Sequence, residues 1–352
     1  MSNFQPPSTV IAKKATLIDV ARHAGVSPAT VSNAINRRRY VETSTRLRIE
    51  AAIAKLDYIP NLHARRLRTG KANTIALLSS MPFAVSSGPS KLGFMMEVAI
   101  TAAMAALEKK LALILVPPQS LSVENLEVDG ALVIEPRIND PFLGGLRRRN
   151  LPVVSIGRPP GLEEEVPYID MQSERITALL LAHLTTCGAQ DIALFIGNTG
   201  RSAYQETEQY YQRYAATRGM IPRIYHLDEI DGENAGYQAA ITLHRDYPQV
   251  NGVLILVDTF AVGAVRAFDQ LKVSIPGDMR IATRYDGIRV RETWPGLTAV
   301  NLHLDVVAKL VIEQLFALMS GQVLHQPCLS PNAELVIRRS THPDALATST
   351  NT

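Results

Sequence analysis

A short run of small polar residues near the N-terminus offers groups that can contact DNA. The segment PATVSNAIN, residues 28–36, brings Thr30, Ser32, Asn33 and Asn36 to the polar face of one predicted helix. Hydroxyl and amide groups on a helix can hydrogen-bond to base edges in the major groove and to phosphates. This polar face therefore predicts contact with DNA.

Two capped helices around a tight turn would hold this face in position. Thr16 can cap the first helix, with Asp19 at the third helical position of a capping box, and Gly25 ends that helix. Ser27 is a second N-cap, and Pro28 takes the first helical position, where its missing N–H costs nothing. The pattern is typical of a helix-turn-helix. The alternative is an ordinary helical hairpin at the edge of a domain that never meets DNA.

A third helix is predicted within residues 41–61. Ile49, Ala52, Ile53 and Leu56 recur there at the i, i+3, i+4, i+7 spacing that would close a three-helix core. Taken together, the segments TLIDVARHAGVSPATVSNAIN, LDYIPN and ARRL resemble the DNA-binding headpiece and hinge of the LacI/GalR family of transcriptional regulators.

The resemblance implies a set of DNA contacts in the headpiece and the hinge. In the headpiece these are Thr16, Ser27, Pro28, Ala29, Thr30, Ser32, Asn33 and Asn36. Pro28, Ala29 and Asn33 fall at the family's specificity positions, and of these three only Asn33 has a side chain able to make a bidentate contact with adenine. In the hinge helix the expected contacts are Asn61, Ala64 and Leu67, the leucine wedging into the minor groove. The alternative for this short segment is a flexible basic linker.

Charge is distributed unevenly along the 352 residues. Residues 1–71 hold 13 Lys and Arg against 4 Asp and Glu, a net charge of +9, and the remaining residues hold 23 against 29, a net charge of −6. A small basic module joined to a larger acidic one is typical of a nucleic-acid binder with a separate regulatory unit. Lys13, Lys14 and the run RRRY at 37–40 are candidate phosphate contacts, the alternative being merely solvated residues.

Several other classes of protein are disfavoured. Cys187 and Cys328 lie far apart with no Cys/His cluster, so neither a disulfide framework nor a metal site is expected. The motifs of a nucleophile elbow, a zinc protease and a P-loop are missing from the sequence, and we expect no catalytic residue and no cofactor. The N-terminus lacks the apolar core of a signal peptide, and no apolar run is long enough to span a bilayer. We therefore expect no membrane partner and a cytoplasmic location.

From Thr74 onward, short apolar runs alternate with helical patterns. Strands are predicted at 74–79, 111–116, 130–135, 153–157, 191–197, 252–257 and 280–284. Helices are predicted at 93–110, 173–187, 204–218, 235–246, 260–271 and 304–320. The alternation predicts a doubly wound α/β sheet. Because about 270 residues are many for one such sheet, two lobes with a cleft between them are expected.

The family resemblance makes this division more specific. It implies a two-lobed periplasmic-binding-protein type I core in which the chain crosses between the lobes near Asp170, near Asn301 and around 327–331. The expected domains are a disordered leader at 1–15, the headpiece at 16–60, the hinge at 61–71, the core at 72–340 and a disordered tail at 341–352. Within the core, 72–170 with 302–328 should form one lobe, and 171–301 with 329–340 the other.

A small-molecule effector is expected in the cleft, because ligands of open α/β sheets bind beyond the carboxyl ends of the strands. On topology alone this selects Arg158, Asn198, Asp258, Arg284, Tyr285 and Asp286. The resemblance gives Asp286 and Asp258 effector-facing roles and matches Phe94 and Met95 to cleft positions. Asp258 can instead cap the helix after it, and the Phe94–Met95 pair can instead be core. The full set of expected effector contacts is Phe94, Met95, Arg158, Tyr204, Thr207, Asp258, Arg284 and Asp286.

Two departures from the family pattern alter the expected ligand clamp. Thr207 stands where the family commonly has an arginine, on the helix that runs from Tyr204, and Gly157 stands where several members have an acidic residue. Three arginines could instead surround an anionic group such as a phosphorylated sugar or a sugar acid. These are Arg158, Arg201 and Arg284. The alternative is that they form salt bridges to Glu206, Glu208 or Asp286.

The sequence thus predicts a DNA-binding transcriptional regulator of the repressor type. A homodimer would read a pseudo-palindromic operator, and a small metabolite in the cleft, with a sugar or sugar derivative favoured, would control the spacing of the two headpieces. A stand-alone solute-binding protein and a sugar- or nucleotide-processing enzyme are the alternatives.

Overall fold

The computed structural model describes residues 15–36, 39–59, 70–86, 93–117, 123–324 and 327–342. The chain divides into two compact units, Met1–Lys71 and Ala72–Thr352.

Three helices are described in the first unit. They are α1 (Leu17–Ala24), α2 (Pro28–Asn36) and α3 (Thr43–Lys55). Val20 and Ala21 of α1, Val31 of α2, and Ile49 and Ala52 of α3 are all buried and form one apolar cluster. The three-helix core expected from the spacing of apolar residues is therefore confirmed.

The ends of α1 and the start of α2 follow the predicted capping residues. The Oγ1 of Thr16 accepts a hydrogen bond from the backbone N–H of Asp19, and the backbone N–H of Thr16 donates to the Asp19 carboxylate at 2.9 Å, which completes a capping box. Gly25 ends α1 with φ +67, a left-handed conformation that glycine adopts without steric cost. The Ser27 Oγ accepts from the Thr30 N–H at 3.1 Å, so Ser27 caps α2 as expected.

The second unit contains twelve described strands. They are β1 (Thr74–Ser79), β2 (Ala112–Leu115), β3 (Gly130–Ile134), β4 (Val153–Ile156), β5 (Tyr168–Asp170), β6 (Ile192–Gly197), β7 (Ile224–Leu227), β8 (Gly252–Ile255), β9 (Arg280–Thr283), β10 (Ala299–Asn301), β11 (Cys328–Leu329) and β12 (Glu334–Val336). The apolar runs that predicted strands have become the buried central strands of two parallel sheets.

Helices cover both sheets of this unit. They are α4 (Phe83–Ser86), α5 (Phe94–Glu108), α6 (Pro141–Arg148), α7 (Ser173–Thr186), α8 (Ser202–Thr217), α9 (Glu233–Asp246), α10 (Asp258–Gln270), α11 (Ile288–Glu292) and α12 (Leu304–Met319). Among the described residues, no helix has the length and apolar character needed to cross a bilayer.

Two parallel sheets define two lobes within the second unit. The first sheet has the order β11-β5-β4-β3-β1-β2, and the second has the order β7-β6-β8-β9. Both sheets are parallel throughout, with pairs such as Ala131 opposite Val153 and Ile192 opposite Gly252. The doubly wound α/β fold predicted from the sequence is confirmed.

Later segments of the chain return to the earlier sheet. Helix α12 packs on α5 and on β3 and β4, and β11 pairs with β5 through Cys328 opposite Ile169. The antiparallel pair of β10 and β12, with Ala299 opposite Val336, lies beside β9. The chain thus passes between the lobes after β5, after β10 and again between β11 and β12, and each lobe contains non-contiguous sequence.

Helices α9 and α10 of the second lobe lie in direct backbone contact. A Cβ placed on Gly263 would lie 1.9 Å from the carbonyl oxygen of Glu233, and one placed on Gly236 would lie 2.0 Å from that of Phe260. Only glycine fits at either position, because the obstructing atoms are backbone and cannot swing away. This packing fixes the start of α10, which carries Asp258.

Candidate functional site

The N-terminal turn of α2 is the exposed part of the first unit that carries predicted DNA contacts. Ser27, Pro28 and Ala29 are exposed, and Thr30 is half-buried, its hydroxyl 2.8 Å from that of Ser27. Pro28 has no backbone N–H, and the Thr30 N–H already donates to Ser27. This turn therefore presents small side chains, rather than a row of free backbone donors, on one accessible surface.

The other predicted DNA contacts are distributed around this turn or lie beyond the described residues. Ser32 and Asn33 are half-buried on α2, and Asn36 is its last residue. Thr16 is exposed and engaged in the capping box of α1. The hinge contacts Asn61, Ala64 and Leu67 lie outside the described residues, as do Lys13, Lys14, Arg37 and Arg38, whereas Arg39 and Tyr40 are described and exposed.

A narrow cavity of about 40 Å³ lies between the two lobes of the second unit. Residues just past the carboxyl ends of strands from both sheets reach it, namely Met81 after β1, Glu135 after β3, Asp258 after β8, and Arg284 and Tyr285 after β9. This is the edge at which open α/β sheets bind ligands. The remaining lining residues are Val85, Phe94, Tyr204, Leu256, Val257 and Leu302.

One buried ion pair lines the cavity, and a second contacts its lining residue Tyr204. The Arg284 Nη2 donates to the Glu135 carboxylate at 3.0 Å, and the Arg201 guanidinium donates from Nε and Nη2 to the two oxygens of Glu229 at 3.2 and 3.1 Å. The Tyr204 hydroxyl also donates to Glu229. Burial, and then the Glu229 charge, raise the pKa of Tyr204 well above its usual value, so this phenol stays protonated and acts as a donor.

Asp258 lines the cavity and carries its own partner. Its Oδ2 lies 3.0 Å from the Arg289 Nη1, and its Oδ1 accepts from the Thr259 N–H at 2.9 Å. Burial raises the pKa of the carboxyl group, while the charge of Arg289 opposes that rise. Helix α10 begins at Asp258, and its N-cap residue is Val257, so Asp258 is not the N-cap considered from the sequence.

Phe94 lines the cavity and makes an edge-on contact with Tyr285, with ring centroids 5.4 Å apart and an interplanar angle of 82°. The Tyr285 hydroxyl donates to Glu97 of the first lobe, and burial raises the pKa of this phenol. Met95, which follows Phe94 on α5, belongs to the apolar core instead. Of the two neighbouring residues predicted to face the cleft, Phe94 therefore lines the cavity and Met95 lies in the core.

Three further predicted effector residues do not line this cavity. Asp286 is paired with Arg338 at 2.6 Å and Arg291 at 3.3 Å. Thr207 is buried between helices, with its hydroxyl 3.0 Å from that of Thr177. Arg158 lines a separate groove, where it pairs with Asp170 at 3.1 Å and Glu206 at 3.3 Å.

All three arginines considered as an anion site are thus paired with carboxylates. The salt-bridge alternative fits Arg158 with Glu206, as the sequence suggested. The partners of Arg201 and Arg284, however, are Glu229 and Glu135, which the sequence reasoning missed. The described residues contain no group of three or more His, Cys, Asp or Glu side chains arranged to hold a metal ion.

Comparison with known proteins finds a family match in each of the two units. Residues 16–61 match the family described as bacterial regulatory proteins, lacI family, and residues 181–341 match the periplasmic binding protein-like domain. The chain thus combines a lacI-family helix-turn-helix domain with a periplasmic-binding-protein-like domain. This agrees with the resemblance carried by the headpiece segments.

Relatives match this chain over nearly its whole length. The transcriptional regulator CelR of Thermobifida fusca is 26% identical over 344 residues, covering 93% of this chain and 98% of CelR. The lactose operon repressor of Escherichia coli (strain K12) is also 26% identical, over 345 residues, covering 94% of this chain and 91% of the repressor.

Among solved structures, the lac repressor dimer bound to operator and the anti-inducer ONPF shares the fold. Its TM-score is 0.79 at 24% identity, and the match covers 94% of this chain and 99% of that one. The complex of CelR with cellobiose gives a TM-score of 0.67 at 23% identity, covering 93% and 99%. The fold of the family is therefore present in both units.

Proposed function

We propose that this chain is a sequence-specific DNA-binding repressor of transcription that acts as a homodimer and responds to a small metabolite in the interlobe cavity. The observation that carries the proposal is the exposed, capped N-terminal turn of α2 in a basic unit. The curated relatives described above are transcriptional regulators, and one solved neighbour is a repressor dimer on its operator.

Asn33 is our choice for direct base readout. Replacing it with alanine should lose about 1–3 kcal/mol of discrimination at one symmetric base position, the range for a bidentate contact. The measurement is a binding-site selection with full-length protein, followed by titration of the chosen duplex and its single-base variants. Arg39→Ala is the matched control, because loss of an exposed phosphate contact weakens binding to all sequences alike.

An unchanged base preference for Asn33→Ala would remove Asn33 from the readout set. Deleting residues 1–71 tests the assignment of the unit as a whole, because the remaining α/β unit has its own apolar core. The truncated protein should lose DNA binding and keep ligand binding. Retention of specific DNA binding by the truncated protein would contradict the proposal. The hinge contacts Asn61, Ala64 and Leu67 remain predictions.

The homodimer is supported by an apolar surface on the first lobe. Ile100, Met104 and Leu107 follow one another at i, i+4, i+7 on α5, and each is more than half exposed. Beside them, Ile114 and Leu115 of the edge strand β2 are also exposed. Contiguous exposed apolar side chains next to an unpaired strand edge are typical of a protein–protein interface.

The effector site proposed here is the cavity lined by Phe94, Tyr204, Asp258 and Arg284. At about 40 Å³ it is narrow, so a metabolite of sugar size has to part the lobes or displace side chains on entering. A thermal-shift screen of sugars, sugar phosphates, sugar acids and nucleosides tests for such a ligand. With a ligand identified, Asp258→Asn should weaken its binding.

Asp286→Asn is the comparison for that experiment. Because the Asp286 carboxylate pairs with Arg338 and Arg291 and is not part of the cavity lining, this variant should lower the melting temperature more than it lowers ligand affinity. The opposite pattern, with Asp286 controlling affinity and Asp258 controlling only stability, would place the effector elsewhere.

A further inference from the structure

One residue of the first lobe, Glu135, accepts hydrogen bonds from two buried arginines of the second lobe. The Glu135 carboxylate accepts from the Arg284 Nη2 at 3.0 Å, and the Glu135 backbone carbonyl accepts from the Arg201 Nη1. The same Nη1 lies 3.2 Å from the Ser80 hydroxyl, also in the first lobe. Glu135, Arg201 and Arg284 are all buried. Charge-assisted hydrogen bonds in such a water-excluded place are strong, so Glu135 is a principal point of attachment between the lobes.

The backbone at Glu135 is held in an unfavourable conformation. Its φ is +43, in the left-handed region that a side chain with a Cβ rarely adopts. Such strain persists only where surrounding contacts determine the conformation, and it is concentrated at ligand clamps and switches. Here the backbone N–H donates to the Ile156 carbonyl at 2.7 Å while the carbonyl faces Arg201. The strain turns the residue from the strand into the cleft.

Gly157 leaves the room that the Glu135 carboxylate occupies. A Cβ at position 157 would lie 3.0 Å from the Glu135 Oε2 and 3.1 Å from its Cδ. Gly157 also has φ +88, which favours glycine. The space left by Gly157 is therefore occupied by a carboxylate reaching in from the neighbouring strand.

Arg284 carries a second donor beside the one whose hydrogen bond Glu135 accepts. Its Nε is buried and finds no hydrogen-bond partner among the described residues, although the side chain lines the cavity. A buried donor without a partner is costly, and a ligand oxygen would satisfy it. Two adjacent guanidinium donors match the two oxygens of a carboxylate or phosphate, and Glu135 at present occupies one of them.

We propose that Glu135 is a built-in counter-ligand: its carboxylate holds Arg284 and keeps the lobes together until the anionic group of the effector, a carboxylate or phosphate, exchanges with it. The effector is then an acidic or phosphorylated sugar derivative rather than a neutral sugar. This inference rests on the proposed function for the identity of the cavity as the effector site. The contact between the lobes can be tested without DNA and without the effector.

The test compares full-length wild type, Glu135→Gln and Glu135→Gly in the absence of effector. Glutamine keeps the shape and removes the charge, and glycine accepts the left-handed backbone if glutamine does not fold. The reporter is the Ile138 amide, which donates across the cleft to the Gly200 carbonyl at 2.7 Å. Losing one buried charged hydrogen bond should accelerate its hydrogen exchange about tenfold or more. The radius of gyration from X-ray scattering should rise in parallel.

Acetate then tests whether the freed Arg284 binds a carboxylate. In Glu135→Gly, added acetate should raise the melting temperature in a saturable way, because the Arg284 guanidinium is open to an anion. Protection of the Ile138 amide should stay low, since acetate is not attached to the first lobe. Wild type, in which Glu135 occupies Arg284, should show no such rise at the same acetate concentrations. Glu174→Gln is the matched control, because Glu174 pairs with Arg213 at an exposed site within the second lobe, and it should exchange like wild type.

Three results are decisive. Lost protection together with saturable stabilisation of Glu135→Gly by acetate supports the counter-ligand. Unchanged protection in both Glu135 variants overturns it. Lost protection without stabilisation by acetate also overturns it, because Arg284 would then not bind an anion in place of Glu135, and Glu135 would be only a structural support. Failure of the proposed function would instead appear as absence of operator binding by wild type, with these exchange results unaffected.

Discussion

Removing the positive charge of Arg201 should destabilise the α/β unit severely. Both Arg201 and Glu229 have almost fully buried side chains, joined by two hydrogen bonds at 3.1 and 3.2 Å. Arg201→Met keeps the apolar stem and leaves Glu229 as a buried carboxylate whose remaining donor, among the residues that the structure describes, is Tyr204. Breaking a buried pair from one side costs about 3–5 kcal/mol, because the remaining charge is desolvated without compensation.

A second substitution should recover much of this loss. In the double variant Arg201→Met/Glu229→Gln no charge is left unpaired, so we expect it to be more stable than Arg201→Met alone. The free energy of unfolding is measured by urea denaturation followed by circular dichroism. The control is Arg213→Met, which removes one partner of an exposed pair with Glu174 and should cost less than about 1 kcal/mol.

The reasoning would be refuted by a loss from Arg201→Met no larger than that from Arg213→Met. It would also be refuted if the double variant were less stable than Arg201→Met. Either result would mean that water reaches Glu229 and that the pair does not lie in a low-dielectric site. The buried ion pairs around the cavity would then have to be reinterpreted as solvated.

Three shorter predictions concern other parts of the chain. Leu107→Glu on the apolar surface of α5 should give monomers by light scattering, whereas Ile221→Glu, at an equally exposed position in the second lobe, should remain dimeric; dimeric Leu107→Glu would exclude this surface. Burial lowers the pKa of His183, so the folded state resists its protonation and stability should fall as pH drops below about 6.5, a slope that His183→Gln should reduce. Gly263→Ala should cost about 3 kcal/mol or more in urea unfolding, since its Cβ would lie 1.9 Å from the Glu233 carbonyl, and near-wild-type stability would show that α9 and α10 can separate.

The central elements of the fold could be predicted because their signals are local. Runs such as TIALLS and GVLILV are almost entirely apolar, which is typical of a strand that is buried on both faces. By contrast, β7 (Ile224–Leu227) has half-buried and exposed residues, and β11 is only two residues long. Their pairing depends on neighbours far along the chain, which no local pattern reports.

In the cleft, the rule that ligands bind beyond the strand ends predicts those candidate residues that directly follow a recognisable strand and misses the others. Arg284 and Asp258 follow β9 and β8 closely and line the cavity. The apolar run predicts a strand that extends to Glu135, which hides this residue from the same rule. In the structure its left-handed φ of +43 ends β3 at Ile134. Glu229 follows β7, which had no sequence signal, so nothing in the sequence placed it opposite Arg201.

The salt bridges of the two buried arginines determine how an anionic ligand can bind in the cleft. Arg201 and Arg284 are balanced by Glu229 and Glu135, so an incoming anion meets no spare positive charge as long as both pairs are closed. Of the two pairs, Arg201–Glu229 lies within the second lobe. Its two parallel hydrogen bonds make separation of this pair unfavourable. Arg284–Glu135 joins the two lobes through one hydrogen bond and leaves Nε without a partner among the described residues. An anionic ligand therefore exchanges with Glu135, and that exchange removes a contact between the lobes at the moment of binding.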